Sequence, residues 1–146
     1  MIKFSIITCT YNIAIHLPRN IESVRTQSYA NYEHILVDGY SQDGTQELIF
    51  QYQQENPGRV LVYQSSPKGI ADAMNQGIIQ STGDVLIHLH ADDSFYHPDV
   101  LNCVAEFLQR QPHLDWVYGK ILACDQNQKM IGLFPNRQWL QHNSTG

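Results

Sequence analysis

Short apolar runs rich in β-branched residues alternate along the chain with longer segments whose apolar positions recur every three or four residues. The runs fall at 3–10, 33–38, 60–64, 85–89, 116–122 and 130–134, and their near-continuous hydrophobicity predicts buried strands. Between the first two runs, Leu17, Ile21 and Val24 share one helical face, predicting a helix that ends near Ser28 and takes Pro18 in its first turn. A second helix is expected up to about Glu55, with Asp43 and Gln46 spaced as a capping box and Asn56-Pro57-Gly58 as its stop. A third runs from Ser66-Pro67 to about Ser81 with Ile70, Met74, Gly77 and Ile78 as its buried stripe. The fourth opens at Pro98 and shows Leu101, Val104 and Leu108 on one face. Strand alternating with helix predicts an α/β fold: a mostly parallel open sheet with helices on both faces.

The composition fits one such domain, with 42% of the 146 residues hydrophobic and 16% charged. A net charge of -5 and the lack of a basic patch argue against a nucleic-acid partner. Cys9, Cys103 and Cys124 show no C-x-x-C spacing, and their odd number fits free thiols in a reducing cytoplasm. The first apolar run is too short for a secretory leader or a membrane span.

Polar residues cluster where three of the predicted strands end. These are Thr8-Cys9-Thr10-Tyr11-Asn12, Asp38 with Ser41, and Asp92-Asp93. In an open α/β sheet, ligands bind outside the carboxyl ends of the strands, so an aromatic ring, hydroxyls and carboxylates gather where a nucleotide would sit. Neither G-x-G-x-x-G nor G-x-x-x-x-G-K-[ST] occurs. Without a cradle of backbone amides a diphosphate needs a cation. A hard cation that already holds phosphates needs only one or two protein carboxylates, which Asp93 can supply.

These blocks resemble the inverting glycosyltransferases of family 2, which have the GT-A fold, a Rossmann-like nucleotide-binding half. The resemblance is carried, in order, by Ser5-Ile6-Ile7-Thr8-Cys9-Thr10-Tyr11-Asn12, Val37-Asp38-Gly39-Tyr40-Ser41-Gln42-Asp43-Gly44-Thr45, Gly69-Ile70-Ala71-Asp72-Ala73-Met74-Asn75-Gln76-Gly77, Thr82-Gly83-Asp84 and Leu89-His90-Ala91-Asp92-Asp93. Val117-Tyr118-Gly119 also fits. The resemblance implies transfer of a sugar from a nucleotide-sugar donor, a UDP-sugar first, to a glycan or lipid-linked acceptor, with Mn2+ or Mg2+. Thr8, Thr10, Tyr11 and Asn12 would then flank the base, and Asp38 and Ser41 would serve base or ribose. Lys68, Gly69 and Asn75 would line the pocket. Ala91-Asp92-Asp93 stands where the family has its D-x-D-type motif, with Asp92 toward the ribose and Asp93 on the metal. Ala91 replaces the first aspartate, so a two-carboxylate grip on the metal is not expected.

The family's general base comes from later in the catalytic domain, and no carboxylate here stands in a matching motif: Asp115 and Asp125 are the only ones after the fourth helix. The expected organisation is therefore a donor-binding domain over 1–137 lacking its acceptor portion, and a polar tail at 138–146 that reads as a truncation. Such a chain should bind donor and transfer poorly. Peripheral association with the inner face of a membrane and a homodimer are further expectations. Two alternatives stand beside this reading. One is a nucleotide-sugar-binding module without catalysis. The other is a zinc hydrolase using His88-x-His90-x-Asp92, one residue short of H-x-H-x-D-H.

Overall fold

The computed structural model describes residues 1–66, 68–125, 127 and 129–134, and divides the chain into two compact units, Met1–Phe107 and Leu108–Gly146. In the first unit β1 (Phe4–Thr10), β2 (Tyr32–Asp38), β3 (Val60–Gln64) and β4 (Val85–His88) form one sheet in the order β3-β2-β1-β4. Every pairing is parallel, with Phe4 opposite Tyr32 and Val85, and His34 opposite Val60. The crossovers carry α1 (Leu17–Arg25), α2 (Thr45–Glu55) and α3 (Ile70–Gln80). α4 (Val100–Arg110) follows β4.

Alternation along the strands splits the core between the two faces of the sheet. Phe4 and Ile6 meet Val24 of α1 and Leu101 and Ala105 of α4, while Leu36 and Val60 meet Leu17, Ile49 and Tyr52. On the other face Ile7, Ile35 and Val37 pack with Ala73 of α3. The α/β expectation of a parallel sheet with helices on both sides is met.

Three helix details differ from the sequence reading. α1 ends at Arg25 rather than near Ser28, because the chain beyond it turns to other partners: the Ser28 N–H donates to the Pro98 carbonyl at 2.9 Å. No capping box forms on α2. Its N-cap is Gly44 in the left-handed region (φ 97°), and the Gln46 amide instead donates to the Ser41 carbonyl at 2.6 Å. α3 begins at Ile70, and of its expected stripe only Gly77 is buried; Ile70 and Ile78 are exposed. A Cβ at position 77 would lie 2.4 Å from Ile7 Cγ2, so this helix approaches the sheet through its small residues and turns its large ones outward. Pro67, read as the start of that helix, lies outside the described residues.

At the amino-terminal ends of the strands Glu33 gathers a polar knot. Its carboxylate accepts from Lys3 Nζ at 2.7 Å, Ser5 Oγ at 2.6 Å, the Thr82 N–H at 2.7 Å and Thr82 Oγ1 at 2.8 Å. Burial pushes this carboxyl up, but the combined hydrogen bonds outweigh it and hold it at about 2. Thr82-Gly83-Asp84 therefore serves the seam between β1, β2 and β4, at the end of the sheet opposite the clustered Thr10 and Asp38.

The second unit contains an antiparallel pair, β5 (Ile121–Cys124) with β6 (Met130–Phe134). β6 falls where its apolar run placed it. β5 starts five residues later than the sequence reading, and Trp116 and Tyr118 stack their rings instead, with centroids 5.7 Å apart. The tail at 138–146 lies outside the described residues. Among the described residues no helix is long and apolar enough to cross a membrane.

Candidate functional site

Parallel register places Thr10 opposite Asp38, and Asp38 opposite Gln64, so three strands release their loops side by side. Asp38 is 1% exposed, and its oxygens are taken by Thr10 Oγ1 at 2.9 Å, Ser41 Oγ at 2.6 Å and the Ser41 N–H at 2.9 Å. Ser41 Oγ in turn accepts the Asn12 N–H at 2.9 Å, and Asn12 Oδ1 accepts the Gln42 N–H at 2.8 Å. Asn12 and Tyr40 both adopt positive φ, 48° and 61°, a conformation that non-glycine residues hold only where the surroundings enforce it. Asp38 is that enforcement, since it ties the loop after β1 to the loop after β2. The rings of Tyr11 and Tyr40 are left exposed, and a Cβ at Gly39 would touch Tyr11 Cδ2 at 3.0 Å, so glycine lets that ring lie down. Replacing Asp38 with Asn puts an NH2 group either against the Ser41 N–H or where the Thr10 and Ser41 hydroxyls now donate. Asp38→Asn is expected to lower stability by about 1–2 kcal/mol in urea denaturation.

Asp43 works one layer further out. It accepts the Ala14 N–H at 3.0 Å, the Thr45 N–H at 3.1 Å and the Thr45 hydroxyl at 2.6 Å, and these bonds, the Thr45 hydroxyl first, hold its carboxyl below the usual range. An open groove of about 460 Å³ runs between α2 and β3 and reaches Asp38, with Gln46, Phe50, Tyr63 and Gln64 on its walls.

β4 ends at His88, and Asp92 and Asp93 follow in a tight turn closed by the Asp93 N–H on the His90 carbonyl at 2.9 Å. Ala91 is buried with Leu17 and Leu36 and anchors that turn. Both carboxylates are exposed, and no side chain engages either of them among the described residues. Thr8 is fully buried, and its hydroxyl donates to the Leu89 carbonyl at 2.9 Å. Lys68 and Asn75 are exposed, and Gly69 (φ 114°) caps α3 with nothing within 4 Å of a would-be Cβ. No hydrogen bond joins the Lys68 or Asn75 side chain to the strand ends among the described residues; Ser65 makes the connection. Its N–H donates to the Asp38 carbonyl at 3.0 Å and its hydroxyl to Asp72 at 3.3 Å.

A sequence model of glycosyl transferase family 2 matches residues 5–143. The chain belongs to glycosyltransferase family 2. It is 36% identical over 131 residues to the PGL/p-HBAD biosynthesis glycosyltransferase of Mycobacterium bovis, covering 90% of this chain and 51% of that one. An uncharacterized glycosyltransferase of Nostoc is 32% identical over 85% of this chain and 40% of its own. Among solved structures, residues 1–349 of TarS from S. aureus, in complex with UDP-GlcNAc, superpose with a TM-score of 0.68. Identity there is 25%, over 74% of this chain and 31% of that fragment. A mannosyltransferase from Pyrobaculum calidifontis shares the fold at a TM-score of 0.69 and 23% identity, over 85% of this chain and 35% of its own. The chain thus spans about half the length of the curated relatives it matches.

For this family 2 chain the zinc arrangement does not assemble. Among the described residues no group of three His, Cys, Asp or Glu side chains stands close enough to hold a metal ion. The strand ends at His88, so His90 and Asp92 lie beyond it, Asp92 in the turn at 91–92. A lone exposed carboxylate still fits a cation that brings phosphate ligands with it. The sequence reading missed Ser65 and the polar face of α1, and gave Asp72 no role of its own. Ser65 carried a usable signal, because it is the first residue past β3 at the ligand-binding end of the sheet.

Proposed function

We propose that this chain is the donor-binding part of a family 2 glycosyltransferase and takes a nucleoside-diphosphate sugar, UDP-linked first, at the ends of β1, β2 and β4. The observation that carries the proposal is the juxtaposition of the exposed Tyr11 ring, the Asp38–Ser41 brace and the unengaged Asp92 and Asp93 at that end of one parallel sheet. The binding of UDP-GlcNAc by TarS, at 25% identity, supports UDP.

In this reading Tyr11 lies against the base, and Thr10, Asn12, Asp38 and Ser41 set its height and tilt. Thr8 seats the end of β4, Ala91 anchors the turn, and Asp92 serves the ribose. Lys68, Gly69 and Asn75 border the phosphates from the start of α3. Asp93 would hold Mn2+ or Mg2+, which when bound offsets the charge that develops on the departing diphosphate. Asp125 serves the β5–β6 turn, where its Oδ1 accepts the Asn127 and Lys129 N–H groups, each at 2.9 Å. The acceptor, a glycan or lipid-linked hydroxyl reached at a membrane surface, and its base belong to the whole transferase, of which residues 1–137 form the donor domain.

Calorimetric titration of UDP with Mn2+ and again with EDTA tests this. Binding is expected to be tighter with the metal, and Asp93→Ala is expected to remove that gain, at least tenfold, while leaving the metal-free affinity within about twofold. Equal affinity with and without metal in the unsubstituted chain refutes the proposal.

A further inference from the structure

Asn20, Ser23 and Gln27 form a polar stripe along α1 and just past its end, on the side turned toward the chain after β4 rather than toward water. Asn20 is fully buried and Gln27 is 8% exposed. Asn20 Nδ2 donates to the His90 carbonyl at 2.9 Å and to the Asp93 carbonyl at 3.1 Å, the two ends of the turn that carries Asp92 and Asp93. Ser23 Oγ accepts the Phe95 N–H at 3.1 Å and donates to the Asn20 carbonyl at 2.8 Å. Gln27 completes the row, donating to the His97 carbonyl at 2.9 Å and accepting the Leu101 N–H at 3.1 Å. From β1, Thr8 holds the Leu89 carbonyl.

Every one of these bonds goes to backbone, and none occupies the carboxylate of Asp92 or Asp93. The arrangement fixes where the turn is and leaves its side chains for a ligand. It carries a cost, since Asn20 Oδ1 is buried without a partner among the described residues, and an unsatisfied buried acceptor destabilises a fold. An apolar residue at position 20 would avoid that deficit but release both carbonyls.

We propose that Asn20 and Ser23 are positioning residues of the donor site, fixing the 90–95 turn so that Asp93 meets the metal-bound diphosphate in a preset place. The proposal rests on the donor-site reading above. A carboxylate on a turn already ordered spends less of its binding energy on ordering when the ligand arrives, and a looser turn gives back part of that advantage.

The experiment is UDP titration into the full chain with Mn2+ and with EDTA, giving a metal-dependent gain for each variant, beside amide exchange at Asp93 and Phe95. Asn20→Ala is expected to cut the gain at least tenfold and Ser23→Ala several-fold, while Ser23→Thr, which keeps the hydroxyl, retains it. Exchange at Asp93 and Phe95 should quicken in both alanine variants while Ile7 and Ile35 stay protected. An Asn20→Ala chain that keeps the gain, with Asp93→Ala losing it, overturns the positioning role and leaves the donor site standing. An Asp93→Ala chain that keeps the gain overturns the donor-site reading and the positioning role with it. Should Asn20→Ala fail to fold, the Ser23 pair decides: equal losses in Ser23→Ala and Ser23→Thr overturn the proposal.

Discussion

Substituting valine for Gly83 should abolish the fold of the first unit, or leave it with a urea midpoint far below that of the parent. A Cβ at this position would lie 2.6 Å from Ser5 Oγ, 2.7 Å from the Ser5 backbone nitrogen and 2.8 Å from the Lys3 carbonyl oxygen. Two of those atoms are backbone, one in β1 and one just before it, so no rotamer change relieves the contact. The Gly83 N–H also donates to Ser5 Oγ at 2.8 Å, and the neighbouring Asp84 N–H donates to the Lys3 carbonyl at 2.8 Å. Moving residue 83 away therefore opens the start of the β1–β4 pairing and disturbs the hydroxyl that Glu33 relies on. Overpacking in a well-filled core usually costs about 1–3 kcal/mol and more where backbone must move. Gly83→Val should reach the upper end of that range or beyond, with Gly83→Ala below it. A valine variant within 1 kcal/mol of the parent, a threshold on the order of a mild surface change, would show that the seam is looser than its geometry.

Acid should weaken the fold well before its carboxylates titrate. His34 is fully buried, and burial alone holds its imidazole down at about 3. Thr8 spends its one proton on the Leu89 carbonyl, so at 3.0 Å it must accept from His34 Nε2–H, and Nδ1 is then free to take the Tyr52 hydroxyl at 3.3 Å. The neutral ring therefore fits a directed chain from Tyr52 to Leu89. The unfolded chain takes up a proton near 6.5 and the folded one resists until about 3, so stability is lost as pH falls through that interval. Glu33 has the same sign but enters lower, between 4.5 and about 2. From pH 6.5 to 4.5 the slope should steepen from about 0.7 toward 1.4 kcal/mol per pH unit, a loss of roughly 2.3 kcal/mol in all. His88, held low by burial and by the charge of His90, is exposed and adds a smaller part of the same sign. His34→Gln should start less stable and lose most of that slope when urea midpoints are compared between pH 7 and 4.5. An unchanged slope would assign the acid sensitivity to other groups.

The strands were legible because a strand buried on both faces writes itself as an apolar run, and Phe4–Thr10 and Tyr32–Asp38 leave little else to consider. Asp92 and Asp93 were legible for a related reason: two charges end such a run where a parallel sheet presents its ligands. Periodicity failed where small or polar residues do the packing. α3 lies on the sheet through Gly77 and Ala73, which carry almost no hydrophobic signal, while its isoleucines, the strongest signal, face outward. Asn20 reads as a solvent position in α1, yet it is as buried as Leu17 because its partners are carbonyls seventy residues and more away. The start of β5 was misplaced because Trp116 and Tyr118 have strand-like composition but spend it on stacking with each other.

The place of β1 between β2 and β4 also sets a schedule for the chain as it is made. Its pairing with β2 closes within the first forty residues or so, but Phe4 waits for Val85 before its other edge is covered. At ribosomal speeds of about 5–20 residues per second, the stretch from Asp38 to Val85 takes roughly 2–10 s to emerge. Throughout that interval a strand that the finished fold buries along almost its whole length offers an open row of backbone donors and acceptors to any passing strand. The window of greatest vulnerability to misassembly is thus written into strand order, and a pause in translation between β3 and β4 would lengthen it.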